Sequence, residues 1–163
     1  MEEQMARRLV AEEGKKLQQA GLVARTWGNI SCRIDENHFV ITPSGLDYET
    51  MTARDLVLMD IRNGVCCGAH KPSSEKGVHL AAYQTFPEVG YVIHTHQTYA
   101  TAIGLCGFEQ LAMTEEEAEK LGGIAGAAYG LSSTEKLAGA VYDAMQSGAK
   151  VVFMVHHLSL IHI

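Results

Sequence analysis

The chain has 163 residues, 47% of them apolar and 20% charged, with a formal net charge of -6 at neutral pH. That length supports one domain with a sizeable core, and the negative balance without a Lys/Arg cluster argues against a nucleic-acid-binding surface. No segment has the layout of a secretory leader or the length of a bilayer-crossing helix, so a soluble, cytoplasmic protein with no membrane association is expected.

Taken in order, Met5, Leu9, Val10 and Leu17 recur near helical spacing. Glu2 and Glu3 stand at the positive end of that helix, and Gly21 follows as its stop. Thr26-Trp27-Gly28-Asn29 is a turn, and Ile30–Ile34 with His38–Ile41 forms a hairpin around Asp35-Glu36-Asn37. Thr42-Pro43-Ser44-Gly45 is a second tight turn. Backbone N–H groups in two such turns can form an anion-binding nest, the local help that an acidic protein needs to hold a phosphate. Leu56–Ile61, Asn63-Gly64 and Val65-Cys66 give another hairpin signal.

Pro72-Ser73-Ser74-Glu75 then opens a helix reaching about Phe86. Serine and glutamate are ordinary residues for a first helical turn, yet a helix start carrying two hydroxyls also suits a phosphate, with Glu75 beside it. His79, one turn on, is expected to be a packed, hydrogen-bonded histidine. Tyr91–His96 reads as a buried strand. Its period of two places His94 and His96 on one face, roughly 7 Å apart at Cα, where they could supply two of the three protein ligands of a catalytic metal.

Thr98–Cys106 is a small-residue helix, and Thr114 with Glu117 has capping-box spacing. Ser132-Ser133-Thr134-Glu135 opens an amphipathic helix with Leu137, Val141, Ala144 and Met145 inward and Gly148 at its end. Lys150–Val155 is expected to be the last strand, ending in His156-His157. Neighbours on a strand point to opposite faces, so one of these two can join the pair at 94 and 96. Cys32, Cys66, Cys67 and Cys106 lack C-x-x-C spacing and are expected to be free thiols.

Four motifs, Gly28-Asn29-Ile30-Ser31, Thr42-Pro43-Ser44-Gly45, Pro72-Ser73-Ser74-Glu75 and His94-Thr95-His96, in that order and with those gaps, resemble the class II aldolase/adducin family. The resemblance runs from about Leu9 to His157. It implies a three-layer α/β/α domain over 1–157 with a central, largely antiparallel sheet, assembled as a cyclic homotetramer with sites at subunit boundaries. It further implies one Zn2+ per subunit on His94, His96 and His157, and a phosphate cradle from Gly28, Asn29, Ser44, Gly45, Ser73 and Ser74. Glu75 takes the place of the catalytic acid/base. The implied reaction is cleavage of a phosphorylated sugar, a ketose 1-phosphate, to dihydroxyacetone phosphate and an aldehyde through a metal-stabilised enediolate.

Alternatives within the family are a sugar-phosphate 4-epimerase, which has Asp where this chain has Glu75, a ketose-phosphate dehydratase, and a non-catalytic adducin-like assembly domain. The chain departs from the family pattern at two places. Met113-Thr114-Glu115-Glu116 lacks the tyrosine that serves the aldehyde oxygen. After His157, Leu158–Ile163 stands where the family has glycine and further helices, so 158–163 reads as an aberrant tail beyond a shortened domain.

Overall fold

The computed structural model describes residues 1–105, 114–154 and 159–162. Its elements are α1 (Glu3–Gln19), β1 (Asn29–Arg33), β2 (His38–Ile41), β3 (Val57–Asp60), β4 (Cys66–Cys67), α2 (Lys76–Thr85), β5 (Tyr91–Thr95), α3 (Thr98–Leu105), α4 (Glu115–Leu121), β6 (Ile124–Ala127), α5 (Glu135–Met145), β7 (Val151–Met154) and β8 (Ser159–His162). The strands form one sheet in the order β4-β3-β2-β1-β5-β8-β7-β6, antiparallel at every pairing except β6 with β7. Among the described residues no helix is long and apolar enough to cross a membrane.

Helices cover both faces, giving the expected α/β/α layering. Alternation along each strand divides the core in two. On one side Ala6, Val10 and Ala11 of α1 pack against Ile30, Cys32, Val40 and Leu56. On the other, Val78, Ala82 and Tyr83 of α2 and Leu137, Val141 and Met145 of α5 pack against Phe39, Ile41, Val57, Val92, Val152 and Leu160. Burying side chains such as Val10 or Ile30 contributes about 1.5–3 kcal/mol each. That outweighs the few tenths expected of surface pairs such as Glu3–Arg7 and Glu13–Lys16 on α1. Helix α1 is therefore held by its buried stripe.

Three differences from the sequence reading bear on the site. The helix expected to open at Pro72 begins at Lys76, and residues 72–75 form a separate turn ahead of it. Ile124–Ala127, a small-residue segment without alternation, forms β6 through parallel pairing with β7. Val151–Met154 is not the last strand, because Ser159–His162 inserts between β5 and β7 and pairs with both. Leu160 is fully buried in that central position. The alternation of Ser159-Leu160-Ile161-His162 suits a strand, and the neighbouring strand edges pair with its backbone.

Candidate active site

Four loops meet at one end of the β1 and β5 strands. Gly28 ends the first of them with φ of 82°, and a Cβ there would come within 2.5 Å of Val23 Cγ1 and 2.9 Å of the His94 carbonyl oxygen. Only glycine fits both the left-handed backbone and that close approach. The buried Tyr48 hydroxyl donates to the Gly28 carbonyl at 3.0 Å, and burial pushes Tyr48 up to about 12, so it remains a donor. Tyr48 reaches the turn because Gly14 of α1 leaves room for its ring, where a Cβ would stand 2.6 Å from Cδ1.

The turns at 42–45 and 72–75 are tied to each other through their backbones. Pro43 and Pro72 form an isolated bridge, Ser44 N donates to Lys71 O at 3.0 Å, and Ser73 N donates to Thr42 O at 3.0 Å. Ser73 Oγ, itself buried, accepts from the Glu75 amide at 3.2 Å. This lateral pairing brings the exposed Ser44, Gly45 and Ser74 beside one another. A cleft of about 280 Å³ results, lined by Thr26, Trp27, Gly28, Asn29, Pro43, Ser44, Gly45, Ser73, Ser74, Glu75, His96 and Ser132. Its wall is rich in backbone donors and hydroxyls, the chemistry of an anion nest.

Asn29 and Ser31 share the face of β1 opposite Ile30 and Cys32, and both are buried. His79 of α2 is fully buried between them, with Nδ1 2.7 Å from Ser31 Oγ and Nε2 at Asn29 Oδ1. The Tyr83 hydroxyl lies 2.8 Å from the same Ser31 oxygen. The donors follow from the network: Oδ1 only accepts, so Nε2 carries the proton, Nδ1 accepts from Ser31, and Ser31 accepts from Tyr83. Burial pushes His79 down to about 3, which keeps the ring neutral as that arrangement requires. The packed histidine expected from sequence thus has a defined place. It commits Oδ1 of Asn29 inward and leaves the two amide protons for the cleft.

His94 sits opposite Asn29 in the β1–β5 register and is fully buried. The His94 and His96 rings are 5.4 Å apart between centroids and inclined at 66°, and Trp27 stacks 5.5 Å from His96. His96 is fixed by its amide, which donates to Leu22 O at 3.2 Å. Two imidazoles converging on one face, one of them dry, suit a zinc ion. Among the described residues no group of three His, Cys, Asp or Glu side chains gathers around a metal position. His157, the expected third ligand, lies outside the described residues, as does Met113.

Sequence reasoning missed two residues here. Glu75 is buried, and its Oε1 accepts from Ser132 Oγ, from the Ser133 amide at 3.0 Å and from Ser133 Oγ at 3.4 Å. Ser132 and Ser133 have the composition of a helix start, but Thr134 is the N-cap of α5, accepting from Leu137 N at 3.3 Å. The capping box at 114–117 is as expected, with Glu117 Oε2 accepting from the Thr114 amide and hydroxyl, both at 2.9 Å.

The family model described as the Class II Aldolase and Adducin N-terminal domain matches residues 8–158. An L-fuculose 1-phosphate aldolase structure is 32% identical over 96% of this chain and 74% of its own, with a TM-score of 0.86. The L-fuculose-1-phosphate aldolase from Thermus thermophilus is 24% identical over 97% of this chain and 80% of its own, with a TM-score of 0.79. A sugar-phosphate aldolase from Thermotoga maritima is 19% identical over 97% of this chain and 84% of its own, with a TM-score of 0.81.

Proposed function

Given that this chain belongs to the class II aldolase and adducin family and is a lyase of the aldolase type, we propose that it cleaves a ketose 1-phosphate to dihydroxyacetone phosphate and an aldehyde. The observation that carries the reading is the single cleft in which Asn29, Ser44, Gly45, Ser73, Ser74, Glu75 and His96 meet, although they come from four separate stretches of sequence. The 32% identity to an L-fuculose 1-phosphate aldolase supports the same substrate class.

In this reading the phosphate sits against the Gly28-Asn29, Ser44-Gly45 and Ser73-Ser74 turns. The Asn29 amide donates to a phosphate oxygen, and the turn backbones and hydroxyls add further donors. This local nest offsets the chain's overall negative charge. Holding the phosphate fixes the sugar's C3 beside Glu75. When the C3–C4 bond breaks, its electron pair remains on the dihydroxyacetone phosphate half, and the C4 hydroxyl passes its proton to water as the aldehyde forms. Glu75 then delivers a proton to C3, or removes it in the synthetic direction. A zinc ion on His94, His96 and His157 would supply a Lewis acid for the negative charge that develops on substrate oxygen. The Trp27 ring lies beside that of His96, 5.5 Å between centroids.

The reading includes a homotetramer, as the family resemblance implies. Elemental analysis after dialysis is expected to find near one zinc per chain, and L-fuculose 1-phosphate is expected to release dihydroxyacetone phosphate in a coupled assay. A zinc-loaded protein that releases no dihydroxyacetone phosphate from any ketose 1-phosphate would overturn the assignment.

A further inference from the structure

Glu75 is built into the fold from two directions. Its backbone caps the start of α2, while its carboxylate oxygen Oε1 is met by the loop that enters α5, more than fifty residues further along the chain. The two helices are pressed together at that end. Gly77, two residues after Glu75, faces Ala138, and a Cβ on Gly77 would lie 3.2 Å from the alanine methyl. The loop itself has little freedom. A Cβ on Gly130 would come within 2.6 Å of Leu137 Cα, and Thr134 both donates to Leu131 O at 2.6 Å and caps α5.

Because Thr134 satisfies the helix, neither Ser132 nor Ser133 is needed as its cap. Ser133 instead holds the left-handed backbone conformation, φ of 64°, which is uncommon for a residue with a Cβ. That conformation aims its amide at Glu75. Such local strain persists where surrounding structure over-determines it, and here the Thr134 cap and the Gly130 contact do so. Ser132 is exposed and lines the cleft beside Glu75 and His96. An exposed serine has no packing reason to turn its hydroxyl onto a carboxylate from another helix.

We propose that Ser132 and Ser133 are positioning residues for the Glu75 carboxylate. By engaging Oε1 they fix the rotation of the carboxylate beside the substrate carbon. This deepens the proposed function and rests on its reading of Glu75 as the acid/base. The pair acts on the proton transfer and not on phosphate binding, because its contacts reach the carboxylate and not the 28–29 or 44–45 turns.

The test follows Glu75's own step. The full-length, zinc-loaded protein is given dihydroxyacetone phosphate in D2O, and exchange of its C3 proton is read by NMR beside steady-state cleavage of L-fuculose 1-phosphate. In Ser132→Ala, exchange and kcat are expected to fall about tenfold with KM within twofold, the size expected for one hydrogen bond to a charged group. Ser132→Thr is expected to restore most of the loss. Glu75→Ala is expected to abolish exchange, and adding Ser132→Ala to it should change nothing further. If Ser132→Ala matches wild type, or raises KM alone, while Glu75→Ala is inactive, the positioning role is overturned and the reading of Glu75 stands. If Glu75→Ala still exchanges the proton, the acid/base reading falls, and the positioning role falls with it.

Discussion

The two faces of the β1–β5 strand pair use the same backbone for opposite purposes. Toward α1 they present Ile30, Cys32, Tyr91 and Ile93, which belong to an apolar core or pack against it. Toward α2 the same strands present Asn29, Ser31 and His94, three buried polar side chains, with Val92 among them. The apolar face needs only volume and shape. The polar face needs a partner for each buried group, since an unmet donor or acceptor costs about 1–3 kcal/mol. For the groups on β1, Tyr83, Ser31, His79 and Asn29 meet that demand in one chain of hydrogen bonds that ends at the cleft. The site is therefore specified by hydrogen-bonded polar groups on one face, while the other face contributes apolar burial.

The largest expected break in this comparison is His94→Ala on the polar face. Loss of a direct metal ligand should exceed the 10–100-fold typical of removing a ligand's supporting contact, so we expect bound zinc to fall to near zero and cleavage to drop more than about 100-fold. Elemental analysis and the coupled assay check both parts. Next, His79→Ala strands buried groups on Ser31 and Asn29 and should lower stability by about 3 kcal/mol in urea unfolding. In the protein that remains folded, the KM for the sugar phosphate should rise more than kcat falls, because Asn29 loses its anchor.

The pH dependence sharpens the same point. An ordinary histidine titrates near 6.5, whereas burial holds His79 at about 3. Below pH 6.5 the unfolded chain takes up a proton that the folded ring refuses. The stability contributed by neutral His79 is thus complete above that pH and is lost progressively as pH falls toward 3. Asp60, held at about 2 chiefly by the hydrogen bond from Arg62, also loses its contribution in acid. The informative quantity is consequently a difference: melting temperature between pH 7 and 4 should fall less steeply in His79→Gln than in wild type. The smallest effect is expected on the α1 face. Ile30→Val, one residue from Asn29, should cost about 1 kcal/mol and leave kcat and KM within twofold of wild type.

Much of this arrangement was legible in the chain itself. The His94-Thr95-His96 alternation, the Gly28 and Ser44-Gly45 turns and the hairpin at 30–41 are local patterns, set by backbone sterics and a period of two. Their order and gaps also identified the family. Strand β6 escaped notice because Ile124-Ala125-Gly126-Ala127 carries neither alternation nor bulk, and its strand state depends on the edge of β7. The Ser159–His162 strand has a readable pattern, but its central place between β5 and β7 depends on residues distant in sequence.

What the sequence determined alone were the groups that could bind or transfer a proton, and the turns and strands that carry them, because those depend on residue chemistry within a few positions. Tertiary structure decided which of those groups meet. It seated the Ser133 amide on Glu75, placed His79 between Ser31 and Asn29, and bridged Pro43 to Pro72. Each of those contacts joins residues at least 29 and as many as 58 positions apart. No local rule reaches that far; the pairing of strands and the close packing of α2 on α5 create them.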